Sequence, residues 1–319
     1  MKKSILFIIL SIITLLLLLI DISCGSVSIP LKEVFAALVG SDIDAQTRTI
    51  VVDLRLIKAI TAFIAGIALG ISGLQMQTLF RNPLAGPYVL GLSSGASLGV
   101  ALLLLTGVTT TIGIAGAAMV GASAIMFMLL IANERVKDVM TLLVIGIMIS
   151  SAVSAIVQIL QYLSDEQALK SYVIWTMGSL GEVTKSQLSI LVGAVTLGVI
   201  LSIFTLKPLN LIMISDVFAR TSGIEMRKIR FMLLASTTIL AGSITAFCGP
   251  IGFVGLAVPH IARAIFRTAD HRVLIPASAL CGAIMLIGSD ILSRQFLIPI
   301  NAITSLAGIP IVIYIALRR

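Results

Sequence analysis

Hydrophobic positions run in long unbroken blocks along most of the chain, and polar residues gather in the short gaps between them. The blocks are too long for single strands, and the ten-residue alternation of a membrane barrel is not seen. A bilayer core of about 30 Å takes roughly 20 apolar residues as a helix. On that scale the pattern predicts ten spans, near residues 5–22, 56–80, 88–106, 110–132, 139–162, 187–206, 229–248, 251–266, 273–293 and 301–317. Helices are the expected form, because an unpaired backbone group in lipid is strongly unfavourable.

Two gaps keep apolar residues at helical spacing, Val27 to Val39 and Glu166 to Met177. They predict short helices lying on the membrane surface, with Tyr172 and Trp175 at the interface where amphipathic rings settle. The longest gap, "LKPLNLIMISDVFARTSGIEMRKIR", runs from Leu206 to Arg230. Ile212, Val217 and Phe218 give it an apolar side, Asp216 and Arg220 form an i,i+4 pair, and Gly223 supplies a stop. A short helix, a glycine turn and a basic entry into the next span follow from that pattern. No gap is long enough for a soluble domain, so residues 1–319 read as a single transmembrane domain.

Composition agrees with the pattern: 58% of the 319 residues are hydrophobic and only 11% are charged, with a mean hydropathy of +1.15. A soluble domain is about 25% charged. The net charge of +8 does not point to nucleic acid, since the cations neither cluster on one soluble face nor interleave with aromatics. Their distribution reports topology instead. With the N-terminus in the cytoplasm, the outer side receives only Lys32, Arg48, Arg55, Lys58, Lys170, Lys185 and Arg294 of the 22 lysines and arginines. The remainder, among them Lys2, Lys137, Arg318 and Arg319, fall inside, so both termini are expected to be cytoplasmic.

The start, "MKKSILFIILSIITLLLLLIDISCGS", has the form of a signal peptide. Asp21 stands where a lipid-attachment motif before Cys24 would carry leucine, and the apolar run is long enough to span, so it reads as an uncleaved first helix. Cys24, Cys248 and Cys281 are far apart and without histidine at ligand spacing. They indicate neither a disulfide framework nor a metal site and read as buried small side chains; no cofactor is expected.

The segment "RNPLAGPYVLGLSSGASLG", Arg81 to Gly99, raises three readings: a phosphate cradle, a serine nucleophile, or a packed break between helices. The phosphate loop requires a lysine after the glycines, which is missing. "GLSSG" matches G-x-S-x-G, but that motif needs a strand-to-helix turn. A nucleophilic Ser72 or Ser93 also needs a base, and the only histidines, His260 and His271, fall near the inner boundary.

Small residues offer a better use. Gly66 with Gly70, and Gly91 with Gly95 and Gly99, recur four apart and let backbones approach closely; Ser150, Ser151, Ser154 and Ala155 do the same in the fifth span. The span centres carry no Asp, Glu, His or Arg of the kind that ion-driven carriers use as relays. Asp290 and Arg294, four apart near the outer end of the ninth span, read as a solvated ion pair of at most about 1 kcal/mol. The chain thus has the body of a transporter without a motor, and a nucleotide-hydrolysing partner fits. An ion-coupled secondary transporter and an intramembrane serine hydrolase are the competing readings.

Here the residues carry a resemblance. "LRLIKAITAFIAGIALGISGLQMQTLFRNPLAGPYVLGLSSGASLG" resembles the second and third helices of permeases that import iron chelates, haem and cobalamin, the FecCD type of ABC importer subunit. "GPIGFVGLAVPHIARAIFRTADHRVLIPASALCGAIMLIGSDILSR" is similar to that family's eighth and ninth helices, "DVFARTSGI" to its inner loop, and "GIPIVIYIALRR" to its last helix. The likeness covers essentially the whole chain, with Asn82, Pro83, Pro87, Gly91, Gly95 and Gly99 as its most recognisable positions.

The resemblance implies an all-α polytopic protein of type II ABC importer architecture and a non-catalytic transport subunit in the cytoplasmic membrane. It implies a homodimer with a translocation path at the interface, two cytoplasmic ATPase subunits below and a substrate-binding protein above. The ATPase contact falls on the inner loop at about residues 207–230, with Asp216, Ala219, Arg220 and Gly223 as matched positions. The loop from His260 to Arg272 is a second candidate for that contact. The docking cations for the binding protein fall on Arg55, Lys58 and Arg294. Ile57 and Lys58 stand where the family commonly has Pro and Arg, and lysine lacks the bidentate fork of arginine. Leu297, Ile298 and Asn301 depart from the family pattern near the outer mouth.

Overall fold

The computed structural model describes residues 2–25, 27, 29–40, 43–107, 113–136 and 138–317. Lys137, Arg318 and Arg319 lie outside them, as do the side chains of Lys2, Asp216 and Val217. All regular structure among the described residues is helical: α1 (Lys2–Ser23), α2 (Leu31–Val39), α3 (Ala45–Leu79), α4 (Leu92–Leu104), α5 (Gly113–Arg135), α6 (Val139–Leu163), α7 (Glu166–Thr176), α8 (Lys185–Phe204), α9 (Leu206–Ile214), α10 (Asp216–Thr221), α11 (Met226–Cys248), α12 (Val254–Phe266), α13 (His271–Phe296) and α14 (Ile300–Leu317). Seven of these, α1, α3, α5, α6, α8, α11 and α13, are long and apolar enough to cross a membrane. The other predicted spans correspond to shorter apolar helices, α4, α12 and α14.

α3 is the axle of the bundle. Every residue from Ala68 to Phe80 is buried, under α8, α11, α12 and α13. Gly66 and Gly70 lie against the backbone of Gly282 and Ser278 on α13, and Gly73 against Gly255 on α12, so that any Cβ there would collide with a carbonyl. Thr78 touches His271 at one end while Lys58 touches Asp290 at the other, so α3 and α13 run antiparallel. By contrast α1 exposes Ile5, Ile8, Ile12, Leu15, Leu16 and Leu19, a surface suited to lipid and not to water.

A polar knot sits one turn before the Thr78 end of the axle. The fully buried Gln75 donates to Ser202 on α8 at 3.0 Å and accepts from Ser236 and Thr237 on α11 at 3.2 Å each. Buried polar groups must be satisfied internally, and here one amide is satisfied by three hydroxyls from two neighbours. The next turn of α11, Thr238–Gly242, is π-helical, as is Thr49–Arg55 of α3. Such widened turns arise where the ladder of hydrogen bonds is locally re-registered.

The second pair of close helices is α4 with α5. Gly95 and Gly99 meet the backbone of Gly121 and Ala117. Gly91 does not share that helix face: it precedes α4 with φ of 85° and packs on Ser150 of α6.

Several expectations need correction. α3 begins earlier than expected, because Asp44 caps it by accepting from the backbone of Gln46 and Thr47. Tyr172 and Trp175 do not lie out in the interface; both are buried with Ala96, Val100 and Val157 of α4 and α6. Cys24 is exposed, while Cys248 and Cys281 are buried and free. Ser151, Ser154 and Ala155 are exposed and border an open groove, whereas Ser150 lies against Gly91. The inner gap forms two helices, broken at the extended residue Ser215; Pro208 is tolerated because it falls in the first turn of α9. Phe218 points outward, and Ala219 is buried with Ile212 and Met226.

Candidate functional site

At one end of the bundle, charged residues from three helices converge. α1 supplies Asp21 from its last turn, α3 supplies Arg55 and Lys58, and α13 supplies Asp290 and Arg294. Arg294 Nη2 lies 2.9 Å from Asp21 Oδ1 and 2.5 Å from Asp290 Oδ2. Its Nη1 donates to the carbonyls of Asp21 and Cys24 at 3.0 Å each. Lys58 Nζ reaches Asp290 Oδ1 at 3.0 Å. Arg55 donates to the carbonyls of Ile22 and Ser23, at 3.3 and 2.8 Å, and to that of Val27.

The exposures change how these cations are read. Arg55 is only 5% exposed, Arg294 16% and Lys58 24%, against 0% and 1% for Asp21 and Asp290. Arg55 therefore does not project; its guanidinium is spent on the backbone that leaves α1. Asp290 and Arg294 are not a solvated pair but the centre of a buried cluster, in which three cations outnumber two carboxylates. Breaking such a cluster leaves an uncompensated charge.

At the opposite end, α9 is fastened to the axle. Asn210 Nδ2 donates to Asp270 Oδ1 at 2.7 Å, and its Oδ1 accepts from the backbone N–H of His271 at 2.8 Å. The carboxylate fixes the amide orientation, so His271 Nδ1, 2.7 Å from Asn210 Oδ1, carries the proton. In the neutral ring Nε2 is then an acceptor, and the Thr78 hydroxyl of α3 donates to it at 2.8 Å. Asp270 caps α13. The Arg272 backbone N–H and the Asn210 amide hold its carboxyl below the usual range.

Arg81 closes the same joint. It takes a left-handed conformation, φ 47°, at the end of α3, where the N–H groups of Arg81 and Asn82 return to Thr78 and Gln77. This is a Schellman cap built without glycine. The Arg81 side chain donates to the Ile212 carbonyl at 2.8 Å, tying α3 to the C-terminal turn of α9. Asn82 Oδ1 accepts from Leu84 N–H at 2.9 Å, and the Pro83 carbonyl meets His260 of α12 at 2.8 Å. The Pro87 ring lies against Gly255. The segment from Arg81 to Gly91 is thus a run of tight turns clamped onto α12.

α10 hangs from this joint. Gly223, φ 82°, ends it in a second Schellman cap, with Ile224 N–H returning to Ala219 and Gly223 N–H to Arg220. Ala219 is buried while Arg220 is exposed, so the helix turns its charge outward. The Asp216 side chain is outside the described residues.

Between α4 and α6 lies an open groove of about 590 Å³, lined by Tyr88, Ser94, Ser150, Ser151, Ser154 and Gln158. Hydroxyls on a membrane helix can satisfy themselves on their own carbonyls, as Ser151 does on Ile147. The exposed Gln158 amide has no such route, so this face of α6 suits water or a partner and not lipid. Asn210 and Gln158 carry no signal in the sequence, and Asp21 and His271 are visible there without their partners. Each is a single polar residue whose meaning depends on a helix distant in sequence.

Residues 13–318 match the FecCD transport family. The chain is 36% identical over 318 residues to the hemin transport system permease protein HmuU of Yersinia pestis, covering 96% of this chain and 94% of that one. It is 34% identical over 315 residues to the vitamin B12 import system permease protein BtuC of Klebsiella pneumoniae, covering 97% and 92%. Its fold matches an inward-facing conformation of a metal-chelate type ABC transporter with a TM-score of 0.87 at 28% identity, over 98% of this chain and 99% of that one. The helical axle, its two fastened ends and these likenesses agree: the chain belongs to the FecCD transport family of ABC transporter permeases.

Proposed function

We propose that this permease carries an iron chelate, haem or cobalamin across the cytoplasmic membrane as a homodimer, driven by separate ATP-binding subunits and fed by a substrate-binding protein. The fastening of α9 to both α3 and α13 is the observation that carries this reading. A push on α10 and α9 passes through Asn210, His271 and Thr78 to the two central helices. Their far ends hold the Lys58–Asp290–Arg294 cluster. Allosteric transitions of this kind are rigid-body movements of packed elements.

In this reading both termini are cytoplasmic, and α4, α12 and α14 complete ten crossings together with their adjoining turns. α9 and α10 meet the ATPase through Asp216, Ala219, Arg220 and Gly223. The opposite end meets the binding protein. Lys58 and Arg294, the more exposed cations, face its carboxylates while Arg55 holds the α1 exit in place. The Ser and Gln face of α6 lines the path at the dimer interface, offering neutral hydrogen-bond partners to a bulky polar cargo.

The test is reconstitution of the chain with its ATP-binding subunit in liposomes, followed by titration of the binding protein. Lys58→Ala, which removes the most exposed cation and disturbs the cluster least, should weaken docking, and more so at low ionic strength, because salt screens charges at the surface over about 10 Å at 0.1 M. Unchanged docking at low salt would remove the assignment.

A further inference from the structure

The open groove beside α6 continues into a second cavity. That cavity, of about 230 Å³, shares Ser94, Ser154 and Gln158 with the groove and adds Ser93, Ser97, Gln161 and Tyr172. Ser150, Ser154 and Gln158 recur four apart, and Gln161 follows one turn further, so one polar face runs along α6 toward α7. Tyr172 of α7 borders it, where its hydroxyl meets Ser97 of α4.

In the core, polar side chains bond one another or a carbonyl one turn back, as Gln75 does with Ser202 and Ser236, and Thr61 with Ile57. In this groove they do not. Ser93 and Ser94 stand in the first turn of α4, where no helical carbonyl lies one turn back. Among the described residues their hydroxyls have no hydrogen-bond partner, and neither do the side-chain amides of Gln158 and Gln161. Open donors and acceptors on a membrane helix pair call for an occupant that supplies the missing bonds.

The same groove carries no charge. α4 and α6 contain no Asp, Glu, Lys, Arg or His over their full lengths, and α7 contributes only the Tyr172 phenol. A second copy of the chain would add the same neutral helices from the other side. An ion entering such a lining gives up its hydration without meeting a counter-charge, and that cost exceeds what hydrogen bonds return.

The cargo that fits is therefore neutral overall and rimmed with amide or hydroxyl groups. Three hydroxamates bring a ferric ion to zero net charge, and a corrinoid balances its cobalt and surrounds it with carboxamides. Haem keeps its propionate carboxylates, and three catecholates leave a ferric complex strongly negative. On the reading of the α6 face as the lining of the path, we propose that this groove selects metal complexes of no net charge, a ferric trishydroxamate or a corrinoid. Ser93, Ser94, Gln158 and Gln161 are the groups that meet the amide rim of the cargo.

The test is ATP-driven uptake into liposomes that hold this chain with its ATP-binding subunit and are supplied with the binding protein. Four probes are offered separately: a ferric trishydroxamate of no net charge, cyanocobalamin, haemin and a ferric triscatecholate. One neutral complex should accumulate at least about tenfold over both anionic ones, and which of the two does so distinguishes the iron chelate from the corrinoid. Gln158→Leu should cut that uptake about fivefold, as the loss of one hydrogen bond does, and Gln158→Asn, which keeps the amide, should restore most of it. Preferential or equal uptake of an anionic complex would overturn the charge assignment and leave the ATP-driven importer in place. So would uptake unchanged in Gln158→Leu, or a loss that Gln158→Asn does not restore, since either takes the cargo's contacts away from this amide. If none of the four accumulates with ATP, the importer reading falls and the charge assignment with it.

Discussion

Arg294 ties α1 to α13 with one guanidinium, and the consequences can be measured residue by residue. Arg294→Ala would leave Asp21 and Asp290 buried, with Lys58 in contact with Asp290 but no described cation paired with Asp21. Removing one partner of a buried pair costs about 3–5 kcal/mol, so the melting temperature in detergent should fall clearly. Lys58→Ala, at a more exposed position, should lower it much less. Asp270 offers a pH test at the other end. Its carboxyl is depressed in the fold, so its contribution is present above the unfolded value of about 3.9 and is lost as pH falls through the folded value. Asp270→Asn should therefore flatten the acid limb of a stability profile measured by thermal melting. The Asp290–Arg294 spacing was legible in the sequence, since i,i+4 places both on one helix face. Its burial was not, because Asp21 arrives from the far N-terminal helix.

Among the elements, helix contacts are set by small residues and helix ends by backbone geometry. Gly66→Val would drive a side chain into the Gly282 carbonyl and should abolish assembly of the folded chain, seen as loss of a monodisperse peak in detergent. Gly223→Val differs: among the described residues nothing lies within 4 Å of an added Cβ, but φ of 82° strains it by about 1–2 kcal/mol. That variant should fold and insert, yet show weakened stimulation of the ATPase, measured as phosphate release. The long apolar blocks made the main spans readable. The break at Ser215 and the early start of α3 were not, since both depend on local caps and not on the apolar pattern. The serine stripe of α6 misled for a related reason: small polar residues serve close packing and an open polar face equally well, and only the position of α4 distinguishes them.

For the whole molecule, movement enters at α9 and α10 and leaves at the far ends of α3 and α13. Asn210→Leu should sever the link, leaving basal ATP hydrolysis intact while uptake falls. The most direct measurement is uptake of the chelate, haem or cobalamin held by the binding protein. It is made in liposomes containing this chain and its ATP-binding subunit, with and without ATP and with a proton uncoupler. Uptake should require ATP, ignore the uncoupler, and be lost in Arg220→Glu. Uptake that survives ATP depletion and collapses with the uncoupler would contradict it.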